Sequence, residues 1–165
     1  MPHQPLKSVL LVVASAATSA LLLNACATQN TGAQPNTYAP GLGEFMTQIS
    51  TRHHKLWYAG SNGNWPLASY ELDEIHEGLD DLAKHHPTHD KVKGSVPDML
   101  AAHMKAGLEQ TEAAIKAQNA DSFRAGYDNI TAGCNSCHQA NSFGFNIIKR
   151  PENNPFSNQE FQLGH

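Results

Sequence analysis

The chain has 165 residues, of which 40% are hydrophobic, 16% charged and 7% aromatic, a length suited to one domain. That balance excludes a disordered chain, a collagen-like repeat and a coiled-coil rod. Lys and Arg number 11 against 15 Asp and Glu, giving a formal charge of −4 and no basic footprint for nucleic acid, while ten His and three Cys point toward a metal or cofactor site.

The chain opens with Lys7, an apolar run from Val9 to Leu23, and then Leu23-Asn24-Ala25-Cys26. This layout predicts a secretory signal over residues 1–25, because the run is shorter than the roughly 20 residues that a spanning helix needs. Leu23 to Cys26 resembles a bacterial lipobox, which would make Cys26 a lipidated N-terminus and a lipid anchor there the chain's membrane link. The rival is ordinary cleavage at the small-residue pattern Ala25-Cys26-Ala27. Residues 26–40 are rich in Thr, Gln, Asn, Pro and Gly and lack periodicity, so they predict a flexible tether to a domain spanning 41–165.

Four amphipathic segments follow. The first places Leu42, Phe45, Met46, Ile49, His53, Leu56 and Trp57 on one face and meets a strong breaker at Gly60-Ser61-Asn62-Gly63. In the second, Pro66 lies in the opening turn, Leu67, Leu72, Ile75, Leu79 and Leu82 form the stripe, and Pro87 marks the stop. Pro97 opens the third, with Leu100, His103, Met104, Leu108, Thr111 and Ile115. Asn119 to Asp121 cap the fourth, whose stripe is Phe123, Tyr127, Ile130, Cys134 and Cys137. No strand alternation is present, so the expected fold is all-α, an antiparallel four-helix bundle in which the start of the first helix lies beside the end of the fourth. From Asn141 onward the period is lost, and an irregular C-terminal extension should wrap that end.

Cys134-Asn135-Ser136-Cys137-His138 is C-x-x-C-H, the attachment sequence of c-type haem. The spacing suits two thioethers to the haem vinyl groups and an adjacent imidazole held beneath the iron. A disulfide, or half of a zinc site completed by His85, His86 and His89, is the competing use of the same residues.

The helix pattern from Leu42 to Asn141, with Cys134, Cys137 and His138 near the end of the last helix, resembles the class II c-type cytochromes, the cytochrome c-prime-like four-helix-bundle group. A class I arrangement is excluded by the methionines, 1, 46, 99 and 104, which all precede the motif instead of following it. The resemblance implies one covalent haem c, Cys134 and Cys137 as its thioether residues and His138 as the proximal iron ligand. Gln139-Ala140-Asn141 stand where the group usually has a basic residue, and the chain runs on to His165 where the group's chains end sooner.

In such a bundle the opposite haem face meets the first helix, where Met46 and His53 lie on the inward stripe. His53 is the first choice for the distal ligand, Met46 the second, and an open site the third. His76 and His103 fall near inward faces, and His85, His86 and His89 cluster where positive charge suits a helix C-terminus. Trp57, Tyr58 and Trp65 read as packing anchors, and Phe143, Phe145, Ile147 and Ile148 as cover for the haem edge. No nucleophile triad, phosphate loop or carboxylate pair suggests an enzyme. The expectation is a periplasmic electron carrier between redox partner proteins, with a homodimer through the first two helices left open. Its rivals are a five-coordinate haem protein that binds nitric oxide or carbon monoxide, and a haem-free His/Cys metal-binding lipoprotein.

Overall fold

The structure is a computed structural model that describes residues 38–163. The expected signal, Cys26 and the tether through residue 37 lie outside the described residues. From Ala39 onward the chain forms one compact unit containing α1 (Leu42–Ser61), α2 (Trp65–His85), α3 (Val96–Lys116) and α4 (Ala120–Ala140). There is no strand among the described residues.

Local sequence sets each helix start. Glu44 accepts a hydrogen bond from the Gly41 N–H at 2.8 Å, and Asn64, Ser95 and Asn119 each accept from the backbone N–H three residues on. Pro66 and Pro97 occupy first-turn positions where a missing N–H costs nothing. The breaker after α1 acts one residue later than its glycine suggested. Gly60 stays helical, its missing side chain making room for the Phe123 ring, which packs where a Cβ would sit, and the positive-φ reversal falls to Gly63 at φ +70°.

Each helix buries the centre of the stripe its period foretold, while Leu42, Met46, Trp57, Leu67, Leu100, His103, Cys134 and Cys137 are only partly buried. Phe45, Ile49 and Leu56 of α1, Leu72, Ile75, Leu79 and Leu82 of α2, Met104, Leu108 and Ile115 of α3, and Phe123, Tyr127 and Ile130 of α4 form one core. Glu71 is also buried, and Arg52 reaches it at 3.2 Å and Glu74 at 2.7 Å.

The fold is an antiparallel four-helix bundle, as the periodicity requires. Helices α1 and α2 pack most closely as one hairpin and α3 and α4 as another, while the α1–α4 seam is the sparsest of the four. Glycine explains the tightness of the second hairpin. A Cβ on Gly126 would lie 2.6 Å from Thr111 Oγ1, one on Gly107 2.7 Å from the Ile130 nitrogen, and one on Gly133 2.3 Å from the His103 carbonyl oxygen. Only bare backbone permits that approach.

Across the thin seam, Gly60 faces Phe123, Trp57 packs on Tyr127, and His53 bonds to Thr131. Continued by two turns, this antiparallel register places Met46 level with His138. Residues 141–163 form no helix and include a segment that runs back along α4.

Candidate functional site

Where α1 and α4 part, a cavity of about 470 Å³ opens, within the range of small-molecule and cofactor sites, about 300–1,000 Å³. Met46, His53, Cys134, Cys137 and His138 all line it. Four of the apolar residues around them are Ile49, Val96, Met99 and Phe143. The C-x-x-C-H motif and both distal-ligand candidates therefore share one chamber. Cys26 lies outside the described residues.

Three residues apart, Cys134 and Cys137 fall on one side of α4 in successive turns. Neither is in a disulfide. Burial, reinforced by the Cys137 charge, pushes the Cys134 thiol up to about 11, and burial also raises Cys137, against a smaller opposing pull from Asn141. A thiol–disulfide exchange motif needs a depressed thiol, commonly at a helix N-terminus. Here both sulfurs sit near the C-terminal, carbonyl end of α4, where the dipole also disfavours a thiolate.

His138 occupies the last turn of α4, and its Nδ1–H donates to the Asn146 carbonyl oxygen at 2.7 Å. A carbonyl can only accept, so Nδ1 carries the proton and Nε2 of the neutral ring keeps its lone pair. This is the arrangement by which proteins fix the tautomer of a metal-ligating imidazole.

His53 is committed differently. Thr131 Oγ1 donates to the Tyr127 carbonyl oxygen at 3.0 Å and so accepts from His53 Nε2–H at 3.0 Å. His53 Nδ1 is left to accept from the Tyr127 hydroxyl, at 3.1 Å, which also reaches the His53 carbonyl oxygen. The two rings stack with centroids 4.3 Å apart. Burial, with a further contribution from His54, pulls His53 down to about 4, and burial drives Tyr127 well above its usual range. His53 is thus a neutral imidazole with both nitrogens occupied. Met46 presents a thioether on the same chamber and has no such engagement.

The other histidines are employed elsewhere. His86 Nε2 lies 2.8 Å from the Pro40 carbonyl oxygen, the His85 ring stacks on Phe45, and His89 Nδ1 accepts from the Lys91 N–H. Among the described residues, no three His, Cys, Asp or Glu side chains gather as a metal-ligand set. Neither His76 nor His103 lines the chamber. His76 borders a separate groove between α2 and α3, and His103 Nδ1 meets the Ser136 hydroxyl. Nor does Trp57, which packs on Tyr127 and carries the Arg150 guanidinium on its face, with the carbon 4.4 Å from the ring centroid.

The expected cover from the extension is half present. Phe143 and Ile148 line the chamber, but Phe145, 82% exposed, sits on the turn closed by the Asn146 N–H on the Phe143 carbonyl, and Ile147, 73% exposed, points outward from the extended stretch beside Ile148. Three asparagines contribute that periodicity did not flag. Asn141 is buried, donates to the Cys137 carbonyl oxygen and accepts the Lys93 N–H, tying the end of α4 to the loop before α3. Asn146 supplies the carbonyl for His138, and Asn135 holds the backbone of Ile148.

No helix of the described residues is long and apolar enough to cross a membrane. Comparison with known protein families, with curated proteins and with solved structures gives no match.

Proposed function

We propose that this chain is an exported mono-haem c-type cytochrome, of the class II four-helix-bundle kind, which carries single electrons between redox partner proteins in the periplasm and is anchored there by lipid at Cys26. The observation that carries the reading is the convergence of Cys134, Cys137 and His138 on one largely apolar chamber, with the His138 Nδ1–H already committed to Asn146. The residues fit the group. Cys134 and Cys137 would form its thioethers, and His138 Nε2 would be the proximal ligand.

When bound, a haem c supplies a one-electron iron couple. The chain's own residues do the rest. Ile49, Val96, Met99 and Phe143 give the chamber an apolar lining, which would disfavour the more highly charged ferric state and raise the potential. The Asn146 carbonyl strengthens His138 as a donor and acts in the opposite sense.

A second reading, a five-coordinate haem that binds a small gas, is favoured by one observation: both His53 nitrogens are already bonded. On this reading Met46, or no side chain, rather than His53 would face the group opposite His138. Visible spectra of the exported protein, oxidised and reduced, with and without carbon monoxide, separate these readings. For the electron carrier we expect a low-spin spectrum that carbon monoxide leaves unmoved and that Met46→Ala converts to a gas-responsive high-spin one, while His53→Leu leaves it in place. A wild-type spectrum that is already high-spin and shifts with the gas selects the second reading. Absence of any Soret band, or a haem still covalently held in the Cys134→Ala/Cys137→Ala double variant, refutes the assignment.

A further inference from the structure

Residues 146, 148 and 150 are fastened one after another to α4, in antiparallel order. The Asn146 carbonyl oxygen takes the His138 Nδ1–H at 2.7 Å. Ile148 is held by both of its backbone groups, its N–H donating to Asn135 Oδ1 at 2.7 Å and its carbonyl accepting from Asn135 Nδ2 at 2.8 Å. Arg150 closes on Asp128, Nη2 to Oδ2 at 2.6 Å and Nε to Oδ1 at 3.2 Å, with its guanidinium over Trp57. The intervening Ile147 and Lys149 side chains face solvent. The segment is a strap laid along the helix with strand-like alternation.

From this arrangement we infer that Asn135, the first intervening residue of C-x-x-C-H, is the positioning residue for His138. It acts through the strap, by fixing the Ile148 peptide and with it the Asn146 carbonyl two residues away. A primary amide is the side-chain group that can meet a peptide N–H and C=O at once, so the choice of Asn at this motif position has a chemical reason. The second intervening residue has a different task, since the Ser136 hydroxyl meets His103 on α3 and the Gly133 carbonyl within α4, with no hydrogen bond to the strap. The inference deepens the cytochrome reading and rests on it for its redox consequence, but the His138 contact exists in the chain itself.

The test uses the full exported chain as isolated. It follows hydrogen exchange of the His138 ring N–H by ¹⁵N NMR and, in the haem-loaded protein, the reduction potential. Losing two hydrogen bonds to the strap in Asn135→Ala should speed that exchange roughly tenfold and raise the potential, because a less polarised imidazole donates less to the ferric iron. Asn135→Asp keeps the acceptor for the Ile148 N–H but not the donor, and should fall between. Ser136→Ala should change neither quantity. Should Asn135→Ala fail to fold by far-UV circular dichroism, Arg150→Gln frees the strap from its far end and should move both readouts in the same direction, by less. Wild-type exchange in the Asn135→Ala variant, or in Arg150→Gln where that variant stands in, overturns the inference, as does an equal effect from Ser136→Ala. If the isolated chain carries no haem, the cytochrome reading fails, and the exchange measurement still decides the strap.

Discussion

Replacing His53 by Leu should remove a specific part of the acid sensitivity of this bundle. In the folded protein His53 is held near 4, against about 6.5 when unfolded, chiefly by burial. The unfolded chain therefore takes up this proton first as pH falls. Stability from the neutral ring is complete above about 6.5, declines between 6.5 and 4, and is flat below. A gap of this size corresponds to about 3 kcal/mol over that window. The substitution should be mild at neutral pH, because no donor is orphaned: Tyr127 Oη–H keeps the carbonyl of residue 53 and Thr131 Oγ1–H keeps the carbonyl of Tyr127. Two lost hydrogen bonds, partly offset by a more apolar side chain, amount to about 1–2 kcal/mol. Urea unfolding followed by far-UV circular dichroism from pH 7 to pH 4 on both proteins isolates the effect, since carboxylate contributions common to both cancel in the difference. The wild type should start more stable and finish equal to or below the variant. A difference between the two that stays constant across this range refutes the assignment of a buried, neutral His53.

Gly133→Ala should force α3 and α4 apart, since the new methyl would meet the His103 carbonyl oxygen at 2.3 Å. Thermal unfolding should show a cost of about 1–3 kcal/mol, or roughly 5–10 °C in Tm. Arg52→Met leaves the Glu71 carboxylate buried without its partner and should cost about 3 kcal/mol in denaturant unfolding at pH 7. Burial already raises Glu71 above the usual carboxylate range. The Arg52→Met deficit should therefore shrink as the pH is lowered and Glu71 takes up a proton in the folded state before it does so in the unfolded chain.

The bundle was legible because burial in a helix pair repeats at the helical period. Phe45, Ile49, Leu56, Phe123, Tyr127 and Ile130 announce their faces through 3-and-4 spacing and occupy them. The α4 side of the chamber was legible for a related reason: Cys134, Cys137 and His138 are nearly contiguous, so local sequence places them together. The partners that orient it were not. Asn135, Asn141 and Asn146 act through amide or carbonyl groups whose partners lie up to 48 residues away in the chain, and an Asn looks the same in sequence whether or not it has one. Glu71 was missed because period reveals the buried face without revealing that Arg52 can neutralise a charge on it.

The role of His53 shows how a correct face can still leave the chemistry open. Its position on the inward stripe of α1 holds, and it does border the chamber. Yet the α1 wall runs from Leu42 to His53 and no further, and the α4 wall begins at Cys134. Beyond that level, Leu56, Trp57, Gly60, Phe123 and Tyr127 fill the seam with side chains. The hydrogen-bonded group of His53, Tyr127 and Thr131 sits at the boundary between the filled half of the seam and the hollow half. A ring fixed at both nitrogens closes the chamber at that depth, and its low affinity for a proton keeps charge out of an apolar space. The register that pairs His53 with Thr131 puts Met46 at the level of His138, so the wall at His53 and the thioether level with His138 are supplied by one helix two turns apart.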